Sequence, residues 1–202
     1  MNVSRTFGLI PAAGKSRRMG RPKLNLPWKG RTVLEHAVAA MTQGGVNAVV
    51  VVIGPGNKEL QTLAQAAGAA VLELDRETAD MRETVERGLK WIQDRYQPVA
   101  DDGWLLLPAD HPAVETQVVQ QLLAAHLQQP ACSIVVPVFE QRRGHPAWIA
   151  WHHVAGIRAT AAGKGLNTYF RQYSNETLEV AVSTASILWD LDTPEDYQRL
   201  VK

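Results

Sequence analysis

Apolar residues along this chain fall into two alternating patterns. Short unbroken runs are separated by longer segments in which apolar residues recur every three or four positions. Ala48 to Ile53 reads Ala-Val-Val-Val-Val-Ile, apolar throughout and mostly β-branched, as in a strand covered on both faces. Phe7 to Ile10 (ended by Pro11), Ala70 to Leu74, Trp104 to Leu107 and Ser133 to Phe139 are further runs of this kind. Between them lie helical patterns. Arg31 to Met41 places Leu34, Ala37, Val38 and Met41 on one face, and Gly44-Gly45 ends it. Leu60 to Ala67, Asp80 to Tyr96 (Val85, Leu89 and Ile92 in phase) and Glu115 to Leu127 follow. Strands alternating with helices predict an α/β fold with a mainly parallel sheet and right-handed crossovers.

After about Gln141 the alternation loosens. Ala147 to Trp151 reads as a strand, Gly165 to Tyr173 as a helix, and Leu178 to Val182 and Ser186 to Leu191 as two short strands. Pro194 to Val201 closes the chain as a helix, with Thr193 as its N-cap and Pro194 at the first helical position. The chain therefore reads as a single domain over 1–202. Residues 1–140 form a nucleotide-binding part, and 141–202 form a mixed region and closing helix placed to cover the site.

Composition narrows the function. The 202 residues are 46% hydrophobic and carry 21 Lys and Arg against 20 Asp and Glu, a net charge of +1. That balance excludes a polybasic nucleic-acid binder and a disordered chain. The lone Cys132 excludes an intramolecular disulfide and any Cys-x-x-Cys zinc site, and reads as a reduced core thiol of a cytoplasmic protein. No signal-peptide core stands at the N-terminus, and no apolar run approaches the ~20 residues that span a bilayer.

The densest chemistry lies in the loop after the first strand. Ala12 to Lys23 reads Ala-Ala-Gly-Lys-Ser-Arg-Arg-Met-Gly-Arg-Pro-Lys. Small residues let backbone N–H groups approach an anion, and five cations can neutralise it. A solvated basic turn would explain the charge but not its gathering at the end of a parallel strand, where α/β proteins bind ligands. The dinucleotide fingerprint Gly-x-Gly-x-x-Gly is absent, since five residues separate Gly14 from Gly20. Gly14-Lys15-Ser16 lacks the upstream glycine of a Walker loop by one position, and Gly20 and Pro22 would disrupt the helix such a loop enters.

This segment closely resembles the A-A-G-x-S-x-R-M-G-x-P-K signature of nucleotidyltransferases of the molybdenum cofactor cytidylyltransferase type. Later segments resemble the same family in order: Leu107-Pro108-Ala109-Asp110-His111-Pro112, Arg142-Arg143-Gly144-His145-Pro146 and Asp190-Leu191-Asp192-Thr193-Pro194-Glu195-Asp196. Each has a plainer reading. Asp110 suits a turn, Gly-His-Pro is a turn by composition, and Thr193 to Asp196 is a good helix start. The resemblance implies a three-layer α/β/α fold whose mainly parallel sheet is Rossmann-like, of the GT-A type. It implies that Ala12, Ala13, Gly14, Lys15 and Ser16 cradle a nucleoside triphosphate, with Arg18 and Lys23 on its phosphates. It also implies catalytic roles for Arg18, Lys23 and Asp110, Mg²⁺ held by Asp110 and Asp192, and an acceptor contacting Gly144 and His145. A carboxylate at a strand's carboxyl end facing a phosphate loop is also where elementary chemistry places Mg²⁺.

The reaction so implied joins a phosphorylated small-molecule acceptor, a molybdopterin-type cofactor, to the nucleoside monophosphate of CTP and releases pyrophosphate. Ala13 favours CTP, because guanylyltransferase relatives tend to have Gly there. A molybdoenzyme or its chaperone is the implied protein partner; neither nucleic acid nor membrane is. Two departures bear on specificity. Pro11 is common in sugar-1-phosphate nucleotidyltransferases, and Asp80-Met81-Arg82-Glu83-Thr84-Val85 stands where cofactor enzymes often carry a Met-Ser-x-Ser stretch. These favour a sugar-phosphate acceptor as the alternative. A non-catalytic nucleotide-binding or cofactor-delivery protein is a second, which the paired Asp110 and Asp192 disfavour. A nicotinamide-dependent oxidoreductase is least consistent with the glycine spacing. Lys164-Gly165-Leu166 matches the family's acceptor-side segment only loosely. Trp148 and Trp151 follow Gly144-His145-Pro146 and could line a flat acceptor, but core packing accounts for them better.

Overall fold

A computed structural model describes residues 4–16, 18–160 and 166–201, Asn167 as backbone alone. Strand β1 (Thr6–Ala12) leads to a two-residue hairpin, β2 (Pro27–Trp28) and β3 (Arg31–Thr32), and to helix α1 (Val33–Gln43). Three strand–helix units follow: β4 (Ala48–Ile53) with α2 (Lys58–Ala66), β5 (Ala70–Glu73) with α3 (Met81–Tyr96), and β6 (Gly103–Leu106) with α4 (Thr116–Gln128). The rest comprises β7 (Ile134–Phe139), β8 (Arg142–Arg143), β9 (Ala147–Ala150), α5 (His153–Ala159), α6 (Leu166–Arg171), β10 (Thr177–Ala181) and α7 (Pro194–Leu200).

The main sheet runs β5-β4-β1-β6-β9-β7-β10, with β8 added to β7. Pairing is parallel between β4 and β5, β1 and β4, β1 and β6, and β7 and β10. Among the described residues of this sheet, only β9, between β6 and β7, and the short β8 run antiparallel. Side-chain alternation splits the core in two. Ile10, Val51 and Leu105 face α1, α2 and α4, whereas Leu9, Val52 and Trp104 face α3 and α5. This is the three-layer α/β/α arrangement that the resemblance implies, with the mainly parallel sheet that the alternation predicts.

Three details depart from the sequence reading. β1 does not stop before Pro11 but runs to Ala12, with Pro11 beside Val52. The Pro11 carbonyl accepts from the Ala109 N–H, so its donorless nitrogen also faces the β6 side, beyond the last paired residue, Leu106. Ser186 to Leu191 is not a strand: Ala185–Leu188 forms a 3₁₀ turn whose Ser186 N–H donates to the Thr184 side chain. Helix α5 has no counterpart in the apolar pattern. Helix α6 starts at Leu166; Lys164 and Gly165 lie outside the described residues.

Parallel pairing sends the chain out of β1, β4 and β6 at one edge, where the loops after Ala12, Ile53 and Leu106 gather. The segment before α7 joins them, because the Leu191 N–H donates to the Asp110 carbonyl at 2.9 Å. Among the described residues no helix is long and apolar enough to cross a membrane.

Candidate active site

The loop after β1 folds back on itself. Ser16 takes the left-handed conformation (φ 49°), and its carbonyl accepts from Met19 N–H at 3.1 Å and Gly20 N–H at 3.2 Å. The Ser16 hydroxyl accepts from the Lys23 N–H at 3.2 Å, tying both ends of the loop. Met19 and Leu24 are buried and anchor it. A Cβ added at Gly14 would meet nothing within 4 Å, so the backbone there faces open space that a ligand can enter. Arg17 lies outside the described residues.

Two carboxylates from distant parts of the chain meet this loop. The Lys23 ammonium donates to Asp110 Oδ2 at 2.8 Å and to Asp192 Oδ1 at 2.9 Å. The Arg18 guanidinium pairs with Asp192 Oδ2 at 2.7 Å. Burial alone would lower the Lys23 pKa, but the attraction of Asp110, its hydrogen bond and those of Asp192 outweigh it, so the pKa is raised and the ammonium stays charged. With Ala12, Gly14 and Ser16 these residues line a cleft of about 250 Å³. A second cleft of about 360 Å³ lies beyond Ala13 to Lys15, bounded by Glu77 to Met81 and Thr84. Lys15 reaches across it to Glu77 at 2.5 Å.

The donor set fits a hard divalent cation. Two partly buried carboxylates converge on one point, and a cation already stands there, the Lys23 ammonium. His111 Nε2 is 3.9 Å from Asp110 Oδ1, and burial lowers the imidazole pKa, leaving it neutral beside the acid.

The residues expected near an acceptor lie outside both clefts. His145 packs edge-on against His111 with ring centroids 4.8 Å apart. Burial first, then the neighbouring His111, brings its pKa down to about 4. Its Nδ1 is enclosed and has no hydrogen-bond partner among the described residues. The Gly144 N–H donates to Pro137, the His145 N–H donates to Ile187, and a Cβ on Gly144 would lie 2.4 Å from the Ile187 carbonyl oxygen. Gly144 and His145 thus sit behind Asp110, at the joint between β8 and the 185–188 turn, and neither lines the two clefts.

Ala12, Ala13, Gly14, Lys15, Ser16, Arg18, Lys23, Asp110 and Asp192 are therefore brought together around the clefts. Glu77 joins them without having been marked by the sequence; Met81 and Thr84 do so within a stretch already set apart by its missing serines. Trp148 and Trp151 are core residues: Trp148 stacks on His126 at 3.6 Å, and Trp151 bonds Gln93. Cys132 is half-buried in the turn before β7 rather than in the core.

A second cluster with metal-ligating side chains, His152, His153 and Glu176, lies at the opposite end of the sheet, near the starts of β7 and β10. Both His153 nitrogens are already engaged, by Tyr169 and by Ser133, and Ser133 in turn donates to Glu176. This is a satisfied polar network that fastens α5 and α6 to the sheet.

Residues 8–177 match the family model of the MobA-like NTP transferase domain. Nicotine blue oxidoreductase of Paenarthrobacter nicotinovorans is 30% identical over 96% of this chain and 95% of its own. A probable molybdenum cofactor guanylyltransferase of Bacillus mycoides is 28% identical over 75% of this chain and 70% of its own. In fold, the chain superposes on the crystal structure of Rv0371c from Mycobacterium tuberculosis with a TM-score of 0.79 at 24% identity, covering 100% and 99% of the two chains.

Proposed function

The chain belongs to the MobA-like NTP transferase domain family and is a nucleotidyltransferase, and on that premise we propose that it transfers CMP from CTP to the phosphate of a molybdopterin-type acceptor. One observation carries the reading: a small-residue phosphate loop, Lys23 and two carboxylates from remote segments converge on one cleft.

In this reaction an acceptor phosphate oxygen bonds to the α-phosphorus, and the bond from that phosphorus to the pyrophosphate oxygen breaks. The acceptor is already anionic, so no protein nucleophile is needed; the requirements are alignment and charge neutralisation. Ala12, Ala13, Gly14, Lys15 and Ser16 cradle the triphosphate. Arg18 and Lys23 stabilise the charge that develops on pyrophosphate. Asp110 and Asp192 would hold Mg²⁺, which when bound screens the α-phosphate from the incoming anion. Neutral His111 adds no charge beside these acids. Gly144 and His145 contact the acceptor in this reading, and the His145 N–H also fastens the segment that leads to Asp192 through Ile187. The setting is the cytoplasm, with a molybdoenzyme or its chaperone receiving the product.

A sugar-1-phosphate acceptor is the second reading. Met81 and Thr84 favour it, because they line the cleft where cofactor enzymes often carry serines.

The test is pyrophosphate release with Mg²⁺ and each of CTP, GTP, UTP, ATP and TTP, against molybdopterin-type and sugar-1-phosphate acceptors. CTP with the pterin acceptor should turn over, and Asp110→Ala should lower the rate by roughly 10²–10³-fold. Turnover with the sugar phosphate alone would select the second reading. An assay for NADH oxidation with a dye acceptor belongs in the same panel, given the name of the P. nicotinovorans relative. NADH turnover without any nucleotide transfer would overturn both readings.

A further inference from the structure

We propose that Lys23 is the resident cation of the free site: its ammonium holds Asp110 and Asp192 together and keeps a divalent cation out until a nucleoside triphosphate draws it away. The inference rests on the nucleotidyltransferase reading and concerns how that same site is loaded.

The geometry supplies each part. Without a cation, two partly buried carboxylates facing one point would repel each other. Lys23 removes that cost with bonds of 2.8 Å and 2.9 Å. A divalent cation shared by the same oxygens needs the place the ammonium occupies, and the two positive charges cannot both sit there. Lys23 can leave without unfolding anything. Its backbone is fixed by the Ser16 hydroxyl of the phosphate loop, and its four-carbon stem is flexible. Arg18, which neutralises the other oxygen of Asp192, has a side chain 73% exposed and can follow.

A triphosphate in the loop offers the ammonium more negative charge than two carboxylates do. Its arrival frees the acids, and the acids, once free, take the metal. By linkage, the metal must strengthen nucleotide binding by the same factor. Lys15, on the same loop, pairs with Glu77 and not with the acids. Its loss changes the net charge equally but leaves the acids occupied.

The experiment measures Mn²⁺ binding to the intact chain by electron paramagnetic resonance of the free ion, with no nucleotide present. Lys23→Met, and Lys23→Gln as a second variant that keeps some hydrogen-bonding reach, should each bind Mn²⁺ about tenfold more tightly than the wild type, within the usual range of a coupling between sites. Lys15→Met should differ from the wild type by less than about twofold, because an exposed pair is strongly screened. Adding Asp110→Ala to either Lys23 variant should abolish the gain. If both Lys23 variants match Lys15→Met, or bind more weakly than the wild type, the proposal is overturned while the transfer reading stands. If Asp110→Ala leaves Mn²⁺ binding unchanged in every background, the metal does not sit on these acids and the underlying reading fails as well.

Discussion

Arg5 and Asp102 fix the start of β1 much as Lys23 ties down the loop that leaves it. Asp102 is buried and accepts from the Arg5 backbone N–H at 2.7 Å, from the Arg5 guanidinium at 2.6 Å and from Val99 at 3.0 Å. Burial would raise this carboxyl, but the Arg5 and Val99 bonds outweigh it and hold its pKa below the ordinary carboxylate value. A carboxyl depressed on folding stabilises above its unfolded pKa and loses that contribution as pH falls through the folded value. Asp102→Ala should cost about 2–3 kcal/mol in urea unfolding at neutral pH. The difference from wild type should shrink as the pH falls below the normal carboxylate range. An equal difference at pH 7 and at pH 2 would contradict this. Asp102 stands in no motif, and nothing in the sequence marks it, because its importance comes from Arg5 being folded against it. Asp110 was legible from its place after a strand and its neighbours, and the short Lys15 to Glu77 contact was not.

At the scale of elements, the 185–192 segment links the chain's last third to the site. Gly144 abuts its backbone, with no room for a Cβ. Backbone cannot yield as a side-chain tip can, so Gly144→Ala should push the turn away and move Asp192 with it. A loss of stability of about 2 kcal/mol is expected, read as a lower midpoint in urea. Transfer rate should fall further than nucleotide affinity, since the phosphate loop is untouched. Unchanged rate in a folded Gly144→Ala protein would show that the turn does not position Asp192.

Elements with strong periodicity or caps were plain in the sequence. β4 occupies Ala48–Ile53 as read, α3 starts on the Asp80 cap, and Thr193 with Asp196 forms a complete capping box on α7. Ser186 to Leu191 misled because its short apolar run, Ile187-Leu188-Trp189, resembles a strand. Ile187 and Leu191 are indeed buried, but a turn buries them. The edge of β7 that such a strand would need is taken by β10. Helix α5 was missed because it is seven residues long and lacks a side-chain cap.

Over the whole molecule, function depends on bringing remote segments to one sheet edge. Parallel pairing of β1 with β4 and β6 places the loop after Ala12 beside Asp110, and the Leu191 to Asp110 backbone bond delivers Asp192. Sequence pattern disclosed each segment, whereas their meeting is a property of topology. The same topology separates the site from the His153 network at the far end of the sheet. The most direct test of this convergence follows label from CTP carrying ³²P at the α-phosphate to the phosphorylated acceptor, with and without Mg²⁺. Wild type should transfer label only with Mg²⁺, and Asp110→Ala and Asp192→Ala should each transfer at least roughly 10²-fold less while still folding cooperatively. Label transfer that survives both substitutions, or that proceeds equally without a divalent cation, would show that the two acids do not form the reaction centre.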